Sequence, residues 1–440
     1  MSYLNKKILI VGLGISGRSA AYFSLKNGGD VFGIDQNLDN LEQHPEMLSL
    51  KLQGLKATKQ IYDLKGFDLI VISPGIPPTH PIYELINKYK TPIIGEIELG
   101  CRSVKHPILG ITGTNGKTTV TLLVTHILNH AKKKACALGN IGIPFTKQLD
   151  KLSPNEIIVL ELSSYELETL STPAINAGVI LNITPDHLDR YTDMDSYAKA
   201  KLHLQQCIKS SGNFFISEQV FDQFSFLLKN QNVKTFGYSP NSFIYSDLEY
   251  IFLNNNKQFK LPKAYIGFKS HDLENIMAAY ALCNEVGIHS SDFLSGLQTF
   301  KKPSHRIEFV LEKNGIFYYD DSKGTNIDAV TCAVRSLKGP IILIAGGVDK
   351  GASYTTWIEE FKNKVKCICA IGQAACKIEE ELSRYFPIEI FKDLEQAVLK
   401  AKSIAEPGDY VLLSPGCSSF DMFRDYVHRG EEFKRLVRQL

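Results

Sequence analysis

The chain is organised around one stretch of sequence, which reads His106-Pro107-Ile108-Leu109-Gly110-Ile111-Thr112-Gly113-Thr114-Asn115-Gly116-Lys117-Thr118-Thr119. Its apolar part, 108–111, predicts a buried β-strand, and residues 120–131 predict a helix. Between them lies a loop with glycines at 113 and 116 that ends in Lys117. A strand, a glycine-rich loop and a helix N-terminus in this order form a cradle whose backbone N–H groups face a phosphate. We therefore expect a nucleoside triphosphate site here.

The glycine spacing in this loop differs from the generic phosphate-loop pattern. That pattern has a glycine five residues before Gly116, where this chain has Ile111, and the glycines here stand at 110, 113 and 116. The alternative interpretation is a turn rich in glycine and threonine that carries one exposed lysine. The order of strand, glycines, Lys117 and helix favours the phosphate site, in which the lysine adds a positive charge and a threonine hydroxyl can hold Mg²⁺.

Length and composition describe an ordinary globular protein. The chain has 440 residues, of which 44% are hydrophobic and 22% are charged, and this length suggests about three domains. The net charge of +2 gives no general attraction to nucleic acid. Nine cysteines without a C-x-x-C pair argue against zinc and for a reducing compartment. Since the sequence has no signal peptide and no membrane-spanning stretch, we expect a cytoplasmic protein that binds neither nucleic acid nor membrane.

The first segment, 1–95, has the pattern of a dinucleotide-binding fold. An apolar strand leads into Gly12-Leu13-Gly14-Ile15-Ser16-Gly17, and a second strand ends at Asp35. Taken alone, this fingerprint favours NAD or FAD. What it predicts most directly is a helix N-terminus that binds a diphosphate, and a UDP-sugar also contains a diphosphate. A third strand, 67–72, ends in a polar turn at Ser73, where the ligand crevice of an open α/β sheet forms.

The second segment, 96–300, adds two polar clusters at strand ends. A continuous apolar strand delivers Glu161, placed like the acid that completes the Mg²⁺ shell in phosphate-loop folds. Another strand precedes Thr184-Pro185-Asp186-His187-Leu188-Asp189-Arg190, which is either part of a catalytic face or a helix start with an exposed histidine. Lys201 lies in a helical stretch, and nothing local distinguishes it from a solvated lysine. Asn275 lies in a later helix rich in small residues.

The third segment, 301–440, alternates strands with helices. This alternation predicts a parallel, doubly wound sheet whose ligand site lies at the strand ends. Two loops there carry polar side chains, and they read Asp321-Ser322-Lys323-Gly324-Thr325-Asn326 and Ser414-Pro415-Gly416-Cys417-Ser418-Ser419-Phe420-Asp421. The whole sequence therefore predicts three α/β domains, with boundaries near 95 and 300.

In this order, the motifs resemble those of the Mur ligases, the ATP-dependent enzymes that add amino acids to bacterial peptidoglycan precursors. The resemblance covers the whole chain and is carried by 112–119, Gly139-Asn140-Ile141-Gly142, Glu161-Leu162-Ser163-Ser164 and 186–190. The N-terminal glycine motif and the two loops of the third segment are most similar to those of the D-glutamate-adding members. Two positions depart from the pattern: Gly324 stands where the family usually has Ala, and Asp272 where those members often have Asn.

The resemblance implies a fold, a reaction and partners. The fold would comprise an N-terminal Rossmann-like UDP-binding domain, a central P-loop-type ATPase domain with a mostly parallel sheet, and a C-terminal Rossmann-like domain. ATP would convert the carboxylate of UDP-N-acetylmuramoyl-L-alanine to an acyl phosphate, and the amine of D-glutamate would displace phosphate. This step of peptidoglycan precursor synthesis would be carried out by a cytoplasmic monomer that uses ATP, two Mg²⁺ ions and a carbamate on Lys201.

The same resemblance assigns roles to individual residues. The catalytic residues would be Lys117, Glu161, His187 and Lys201. ATP would contact Gly113, Thr114, Asn115, Gly116, Lys117, Thr118, Thr119, Asn275, Arg306 and Asp321. The metal ions would be held by Thr118, Glu161, His187 and carbamylated Lys201. The UDP substrate and D-glutamate would contact Ser16, Asp35, Ser73, Asn140, His187, Lys323, Thr325, Ser419 and Tyr426.

Three other classes of function compete with this one. A sister ligase that adds L-alanine, a diamino acid or a dipeptide is the nearest, with folylpolyglutamate synthesis farther off, and the two loops of the third segment argue against both. A nicotinamide-dependent oxidoreductase would leave the phosphate loop, Glu161 and His187 without a role. A non-catalytic nucleotide-binding regulator is disfavoured because Lys117, Glu161, His187 and Lys201 occur together.

Overall fold

A computed structural model of the chain describes residues 3–188, 190–229, 232–267 and 269–440. The chain divides into two compact units, Met1–Ile183 with Tyr197–Phe300, and Thr184–Ser196 with Lys301–Leu440. The first unit holds two β-sheets and the second unit holds one. Across the described residues, every helix is too short or too polar to cross a lipid bilayer.

The first sheet consists of the parallel strands β1 (Lys7–Val11), β2 (Asp30–Ile34), β3 (Lys56–Thr58), β4 (Leu69–Ile72) and β5 (Ile93–Gly95). Its helices are α1 (Ile15–Lys26), α2 (Leu38–Leu41), α3 (Pro45–Leu52), α4 (Ile82–Tyr89) and α5 (Glu96–Cys101). The strand order is β3-β2-β1-β4-β5, so the order reverses between β1 and β4. An open α/β sheet forms its ligand crevice at such a reversal, which here lies beside the glycine motif that follows β1.

The second sheet carries the phosphate loop. Its strands are β6 (Ile108–Thr112), β7 (Ala135–Gly139), β8 (Ile157–Glu161), β9 (Ile175–Ile180), β10 (Ile208–Ser217), β11 (Lys234–Gly237), β12 (Ile244–Ser246), β13 (Tyr250–Leu253) and β14 (Asn256–Lys260), in the order β14-β13-β12-β11-β10-β9-β6-β8-β7. Only the β12–β13 and β13–β14 pairs among these are antiparallel. Since β6 lies between β8 and β9, the loops that follow these three parallel strands meet at one edge of the sheet.

The helices of this segment are α6 (Lys117–His130), α7 (Phe145–Gln148), α8 (Ser164–Leu167), α9 (Met194–Leu202), α10 (Glu218–Phe224), α11 (His271–Glu285) and α12 (Ser290–Thr299), with 3₁₀ turns at Leu149–Lys151, His203–Cys207, Ser225–Leu227 and Lys263–Tyr265. Among them, α6, α11 and α12 pack on the second sheet and bury its apolar core. One core cluster joins β6, β8 and β9 to α6 and α11. Each fully buried Val, Leu or Ile there contributes about 1.5–3 kcal/mol of transfer free energy, so the strand that precedes the phosphate loop is rigidly held.

The third sheet forms the core of the second unit. Its strands are β15 (Glu308–Lys313), β16 (Ile316–Asp320), β17 (Ile341–Gly346), β18 (Val365–Ile371), β19 (Ile388–Phe391) and β20 (Tyr410–Leu413), in the order β15-β16-β20-β17-β18-β19. Its helices are α13 (Ile327–Ser336), α14 (Trp357–Phe361), α15 (Ala375–Leu382), α16 (Leu394–Ile404) and α17 (Tyr426–Gln439), with a 3₁₀ turn at Tyr354–Thr356. Only the β15–β16 pair in this sheet is antiparallel. Apolar clusters on both of its faces explain why its strands read as continuous hydrophobic runs.

The helix after the phosphate loop begins earlier than the sequence predicts. It starts at Lys117 rather than at residue 120. The reason is Gly116, whose φ of 84° is left-handed and lets the backbone turn sharply from loop into helix. The expected α/β fold with mostly parallel sheets is confirmed by the three sheets, while the domain boundaries near 95 and 300 stay a prediction.

Candidate active site

Two glycines with positive φ angles shape the phosphate loop. Gly113 has φ 154° and Gly116 has φ 84°. A Cβ on Gly113 would come within 3.0 Å of Leu181 Cβ, and a Cβ on Gly116 would collide with the side-chain oxygen of Asn275. Asn275 therefore lies directly against the loop, where the sequence places an ATP contact. Thr118 and Thr119 lie in the first helical turn, whose N–H groups have no partner within the helix and can face a phosphate.

Asn182 holds the loop from the neighbouring strand end, and the sequence analysis did not single it out. The Asn115 N–H donates to Asn182 Oδ1 at 2.7 Å, and Asn182 Nδ2 donates back to the Asn115 carbonyl at 3.1 Å. The Thr114 N–H donates to the Asn182 carbonyl at 2.9 Å. The sequence signal that could have identified Asn182 is its position as a polar residue at the end of an apolar run.

Lys117 and Lys201 converge on one carbonyl of the loop. Lys117 Nζ donates to the carbonyls of Gly113 and Thr114, each at 2.8 Å, and Lys201 Nζ donates to the Gly113 carbonyl at 2.9 Å. Nothing in the local sequence distinguishes Lys201 from a solvated lysine, yet its side chain is only 2% exposed. Helix α9 turns this residue inward, and only the packing of α9 against the loop reveals it. The arrangement places two cationic amines beside the predicted phosphate site.

Tyr197 supports Lys201 from one turn earlier on α9. Lys201 Nζ lies 4.7 Å from the centre of the Tyr197 ring, which provides a cation–π contact. The Tyr197 hydroxyl lies 3.2 Å from Thr114 Oγ1, within hydrogen-bond distance. The i,i+4 spacing of the two residues on a helix was visible in the sequence, but their burial was not. Tyr197 thus joins α9 to the phosphate loop.

Glu161 ends strand β8 as predicted and is buried. Its Oε1 accepts a hydrogen bond of 2.9 Å from Asn140 Nδ2, and its backbone carbonyl accepts one of 3.0 Å from the Asn140 N–H. Its Oε2 is buried and has no hydrogen-bond partner among the described residues. A buried carboxylate oxygen without a partner is destabilising, and a divalent cation satisfies it. The residues present therefore fit a Mg²⁺ ion at this strand end.

A second acid, Glu166, lies close to Glu161 at the start of α8. The Ser163 N–H and hydroxyl donate to Glu166 Oε2 at 2.7 and 2.8 Å, and Ser163 Oγ accepts from the Glu166 N–H, which together form a capping box. Burial raises the pKa of Glu166 to about 7, against the lowering effect of the Ser163 hydrogen bonds, and the carboxylates of Glu96 and Glu161 add to the rise. Glu166 also lines a narrow pocket with Ser16, Ile72, Pro74, Gly95, Glu96, Ile97 and Thr169.

Side-chain hydrogen bonds fix the loop that follows β1 in the N-terminal crevice. Asp35 accepts the Leu13 N–H at 2.7 Å and the Asn37 N–H at 2.8 Å, so its carboxylate fixes the turn after β1. The Ser73 hydroxyl donates to the Gly12 carbonyl at 2.8 Å. A Cβ on Gly17 would overlap that same carbonyl, which explains the glycine. Asp35 and Ser73 therefore lie at the crevice where the sequence predicts a diphosphate.

His187 belongs to the second compact unit, in the segment Thr184–Ser196. The described part of its motif is a turn rather than a helix start, and His187 itself has a left-handed φ of 56°. Its N–H donates to Asp186 Oδ1 at 2.9 Å. Asp186 also forms an ion pair of 3.0 Å with Lys350, a cation that the sequence analysis missed. Asp189, quoted in the same motif, lies outside the described residues.

The two loops of the third segment come together in the structure. The Gly416 N–H donates to the Gly324 carbonyl at 2.8 Å. Lys323 Nζ lies 3.8 Å from the centre of the Tyr426 ring, and the Thr325 N–H donates to the Lys323 carbonyl at 2.9 Å. Ser419 is buried in the second of these loops. The predicted D-glutamate residues Lys323, Thr325, Ser419 and Tyr426 thus belong to one unit and to adjoining segments.

Asp321, the first residue of the first of these loops, is buried. Burial raises the pKa of Asp321 to about 7, although the Ser414 hydroxyl, 2.6 Å away, and the charge of Arg306 act in the opposite direction. A Cβ on Gly324 would collide with Asp321 Oδ2 and approach Ser414 Oγ to 2.8 Å. A methyl group at this position would therefore require the Asp321 carboxyl to move.

Arg429, on α17, is a buried guanidinium that the sequence analysis did not single out. It donates to Ser322 Oγ at 3.0 Å, to the Ser322 carbonyl at 2.9 Å and to the Cys417 carbonyl at 3.1 Å. Burial lowers the pKa of Arg429 to about 10, partly offset by nearby acidic groups. It therefore ties both loops to α17, and no local sequence pattern marks it, since an arginine on an amphipathic helix is usually solvated.

Family models match three stretches of the chain. The Mur ligase MurD-like N-terminal domain matches residues 6–95, the Mur ligase middle domain matches residues 111–283, and the Mur ligase glutamate ligase domain matches residues 305–417. These matches follow the chain in the same order as the three sheets.

Several proteins are similar to the chain over its whole length. The UDP-N-acetylmuramoylalanine--D-glutamate ligase of Protochlamydia amoebophila (strain UWE25) is 54% identical over 441 residues, which cover 100% of this chain and 99% of that protein. The ligase of the same name from Chlamydia pneumoniae is 36% identical over 99% of each chain. That from Caldicellulosiruptor bescii is 39% identical over 100% of this chain and 99% of its own.

Solved structures share the fold. The UDP-N-acetylmuramate-alanine ligase MurC from Thermotoga maritima superposes with a TM-score of 0.60 at 19% identity, over 98% of this chain and 99% of that chain. MurF from Acinetobacter baumannii superposes with a TM-score of 0.61 at 15% identity, over 98% and 91% of the two chains. At these identities the likeness concerns the fold alone.

Proposed function

The chain belongs to the Mur ligase family, and from that membership we propose that it joins D-glutamate to UDP-N-acetylmuramoyl-L-alanine, with conversion of ATP to ADP and phosphate. The observation that carries this proposal is the 54% identity, over the full length, with a ligase of that name. The reaction would be a step of peptidoglycan precursor synthesis.

The chemistry requires activation of a carboxylate. A carboxylate is a poor electrophile, so the terminal phosphoryl group of ATP is first transferred to it. The amine of D-glutamate, after losing a proton from its ammonium form, then attacks the acyl carbon and expels inorganic phosphate. Negative charge on the transferred phosphoryl group is the main barrier, which cations and N–H groups lower by electrostatics and positioning. We assign this role to Lys117, with the N–H groups of Gly113 to Thr119 around the phosphates. Support comes from the glycine conformations of the loop and from the convergence of Lys117 and Lys201 on Gly113.

Mg²⁺ would be held at the edge of the sheet that carries the phosphate loop. We assign Thr118 and Glu161 to one ion, and Glu161, His187 and Lys201 to a second. Such ions would neutralise negative charge on the phosphates of ATP. The assignment of Glu161 is supported by its buried Oε2, which has no hydrogen-bond partner among the described residues.

Lys201 would carry a carbamate. A buried ammonium beside two divalent cations would be repelled by them, whereas addition of CO₂ to the amine converts it into an anionic ligand. The support is the burial of Lys201 beside the loop that would hold the phosphates. The nitrogen of a carbamate keeps one N–H, so the hydrogen bond to the Gly113 carbonyl is compatible with the modification.

The remaining contacts divide between the substrates. We assign Asn275, Arg306 and Asp321 to ATP, and Ser16, Asp35, Ser73, Asn140 and His187 to the UDP substrate. Lys323, Thr325, Ser419 and Tyr426 are assigned to D-glutamate, whose two carboxylates require fixed cations and hydrogen-bond donors. Lys350, which pairs with Asp186, adds a further cation to the second unit. We propose domain boundaries at 95/96 and 300/301, a monomer and a cytoplasmic location.

The test is release of phosphate from ATP in the presence of UDP-N-acetylmuramoyl-L-alanine and one amino acid. D-glutamate should support release, whereas L-alanine, L-glutamate and diaminopimelate should not. A site that hydrogen-bonds a charged group rejects an analogue that lacks it by about 10⁴-fold. Mixtures without the UDP substrate are the control for ATP hydrolysis that is not coupled to ligation. Comparable rates with L-alanine would assign the chain to a different branch of the family, and light scattering of the purified protein would test the monomer.

A further inference from the structure

The turn that carries Arg306 has an unusual backbone. Both neighbours of Arg306 adopt left-handed conformations, with φ 63° at His305 and φ 48° at Ile307. Left-handed φ is uncommon for a histidine and a genuine outlier for a β-branched residue. Such conformations persist only where the surrounding structure enforces them, and they cluster at functional sites. Arg306 is therefore projected from a strained turn, and the contacts that hold this turn decide where its guanidinium lies.

Four hydrogen bonds hold the turn. The His305 N–H donates to Glu308 Oε2 at 2.8 Å, and the Ile307 N–H donates to Asp321 Oδ1 at 3.2 Å. His305 Nδ1 lies 2.6 Å from Asp320 Oδ2, and the His305 carbonyl accepts the Lys323 N–H at 3.1 Å. The same histidine thus fixes the turn before Arg306 through its side chain and the loop at Lys323 through its backbone.

His305, Glu308 and Asp320 form a cluster of side chains of the type that bind metal ions. Ligand atoms of His305, Glu308 and Asp320 all lie within 4.8 Å of one another. The cation among them is supplied by the chain itself, because Lys434 Nζ lies 2.8 Å from Glu308 Oε2 and 3.7 Å from Asp320 Oδ2. Glu431, also on α17, is 3.3 Å from Lys434 and 3.5 Å from His305 Nε2. The cluster is a charge network that joins β15, β16 and α17, in which His305, Asp320 and Lys434 are buried and Glu431 is exposed.

Helix α17 closes over this network at Gly430. A Cβ on Gly430 would collide with His305 Nδ1 and would approach Asp320 Oδ2 to 2.8 Å. Glycine inside a helix is normally less stable than alanine, so its presence here indicates that the close approach of α17 matters. The His305–Asp320 pair is therefore covered by a helix whose neighbouring residues, Tyr426 and Arg429, hold Lys323 and Ser322.

We propose that His305 and Asp320 are positioning residues. They lock the strained turn that presents Arg306 and, through the same histidine, the loop that presents Lys323, so that the ATP contact and the amino-acid contact are set by one buried pair. The roles of Arg306 and Lys323 rest on the proposed function. In this proposal the pair acts through the backbone on either side of it.

The first experiment compares His305→Asn with His305→Leu. Asparagine tolerates a left-handed φ and can place an N–H where histidine Nδ1 lies, whereas leucine does neither. We expect His305→Leu to weaken ATP binding, measured by calorimetry, and to raise the KM for D-glutamate, each by about tenfold or more. His305→Asn should recover most of both losses. ATP binding that is unchanged in His305→Leu, or is equally weak in both variants, would overturn the proposal.

The second experiment uses Gly430→Ala, which disturbs the pair without altering either member. Alanine should favour the helix by propensity, so a loss of ATP affinity here would come from displacement of His305 and Asp320. Arg438→Ala, at an exposed position of the same helix, is the control and should change affinity by no more than about twofold. Parent-like ATP affinity in Gly430→Ala would contradict the proposal. Because ATP affinity is measured directly, the result does not depend on which amino acid the protein adds.

Discussion

Lys117 and Lys201 both donate to the Gly113 carbonyl, so each amine has an acceptor within the phosphate loop. A phosphate in the loop offers a stronger, charged acceptor, and a charge-assisted hydrogen bond is roughly twice as strong as a neutral one. Lys117 can therefore move its hydrogen bonds to a bound phosphate, whereas Lys201, as a carbamate, would keep its N–H on the Gly113 carbonyl. The two lysines nevertheless lead to different predictions, because one provides charge and the other a modified ligand.

Removal of the Lys117 charge should abolish ligation. Lys117→Ala removes the amine assigned to the transferred phosphoryl group, so the barrier should rise by on the order of several kcal/mol. Binding of the UDP substrate and the thermal unfolding temperature should stay close to those of the parent. Steady-state phosphate release and calorimetry measure the two effects, and turnover within a few-fold of the parent would remove Lys117 from the reaction.

Loss of Lys201 should be chemically rescuable. Lys201→Ala deletes the carbamate-bearing amine and should be nearly inactive, but added acetate or another short carboxylate should restore part of the rate by taking the ligand position. Lys199→Ala is the matched control, since Lys199 lies on the same helix and is exposed. Full activity in Lys201→Ala without added carboxylate would show that this residue is not a metal ligand.

At the scale of single elements, the start of α8 combines a cap with an acid whose charge is destabilising. Glu166 completes the capping box with Ser163, which satisfies N–H groups at the start of α8. The same carboxyl lies near Glu96 and Glu161, and burial with these neighbours raises its pKa to about 7. An acid with a raised pKa binds its proton more tightly in the folded protein than in the unfolded chain, so ionisation weakens the fold.

Glu166→Gln should therefore alter how stability depends on pH. The stability that Glu166 contributes is fully present below its ordinary pKa near 4.5 and is lost as the pH rises through about 7. Glutamine keeps the capping geometry and stays neutral, so the variant should exceed the parent by about 1–2 kcal/mol at pH 8 and match it at about pH 4.5. The side chain keeps some exposure, which is why the gain should be smaller than the full shift implies.

Urea unfolding of the protein without nucleotide or metal would measure this difference. Glu168→Gln, two residues further along and exposed, is the control and should shift stability equally little at both pH values. A Glu166→Gln variant whose stability difference from the parent is the same at pH 4.5 and pH 8 would refute the raised pKa.

At the scale of the whole molecule, helix α5 joins the two sheets of the first unit through buried carboxylates. Glu98 accepts the N–H groups of Ser171 and Thr172 at 2.8 and 2.9 Å, the Thr172 hydroxyl at 2.6 Å and Arg102 Nε at 2.6 Å. Burial alone would raise the pKa of Glu98, but these hydrogen bonds outweigh it and hold the pKa below its ordinary value. Glu98 thus connects the helix that follows β5 to the segment that follows α8.

Glu98→Ala should destabilise this unit strongly. It would leave Arg102 and several donors from 171–172 without their acceptor, which typically costs about 3–5 kcal/mol for a buried charged partner. Thermal and urea unfolding would detect the change, and Glu98→Gln, which retains one carbonyl acceptor, should lose less. A free energy of unfolding for Glu98→Ala within about 1 kcal/mol of the parent would show that this carboxylate does not secure the two sheets.

The sequence alone determined the features that depend on short stretches of chain. The strand, loop and helix of the phosphate site, the acid that ends β8 and the glycine motif after β1 are local patterns, because strand periodicity, glycine conformation and helix starts act over a few residues. The order of the motifs also determined the family, which full-length identity confirmed.

Only the tertiary structure decided which distant residues support that site. Asn182 hydrogen-bonds to the phosphate loop, and Lys201 is buried beside it. Arg429 joins the two loops of the third segment to α17. These contacts form because strands and helices from distant parts of the chain pack together. A lysine or arginine on a helix has the same local sequence whether it faces solvent or a buried carbonyl. Burial and partner choice are set by long-range packing, so these residues were beyond local patterns, and so was the strained turn that holds Arg306.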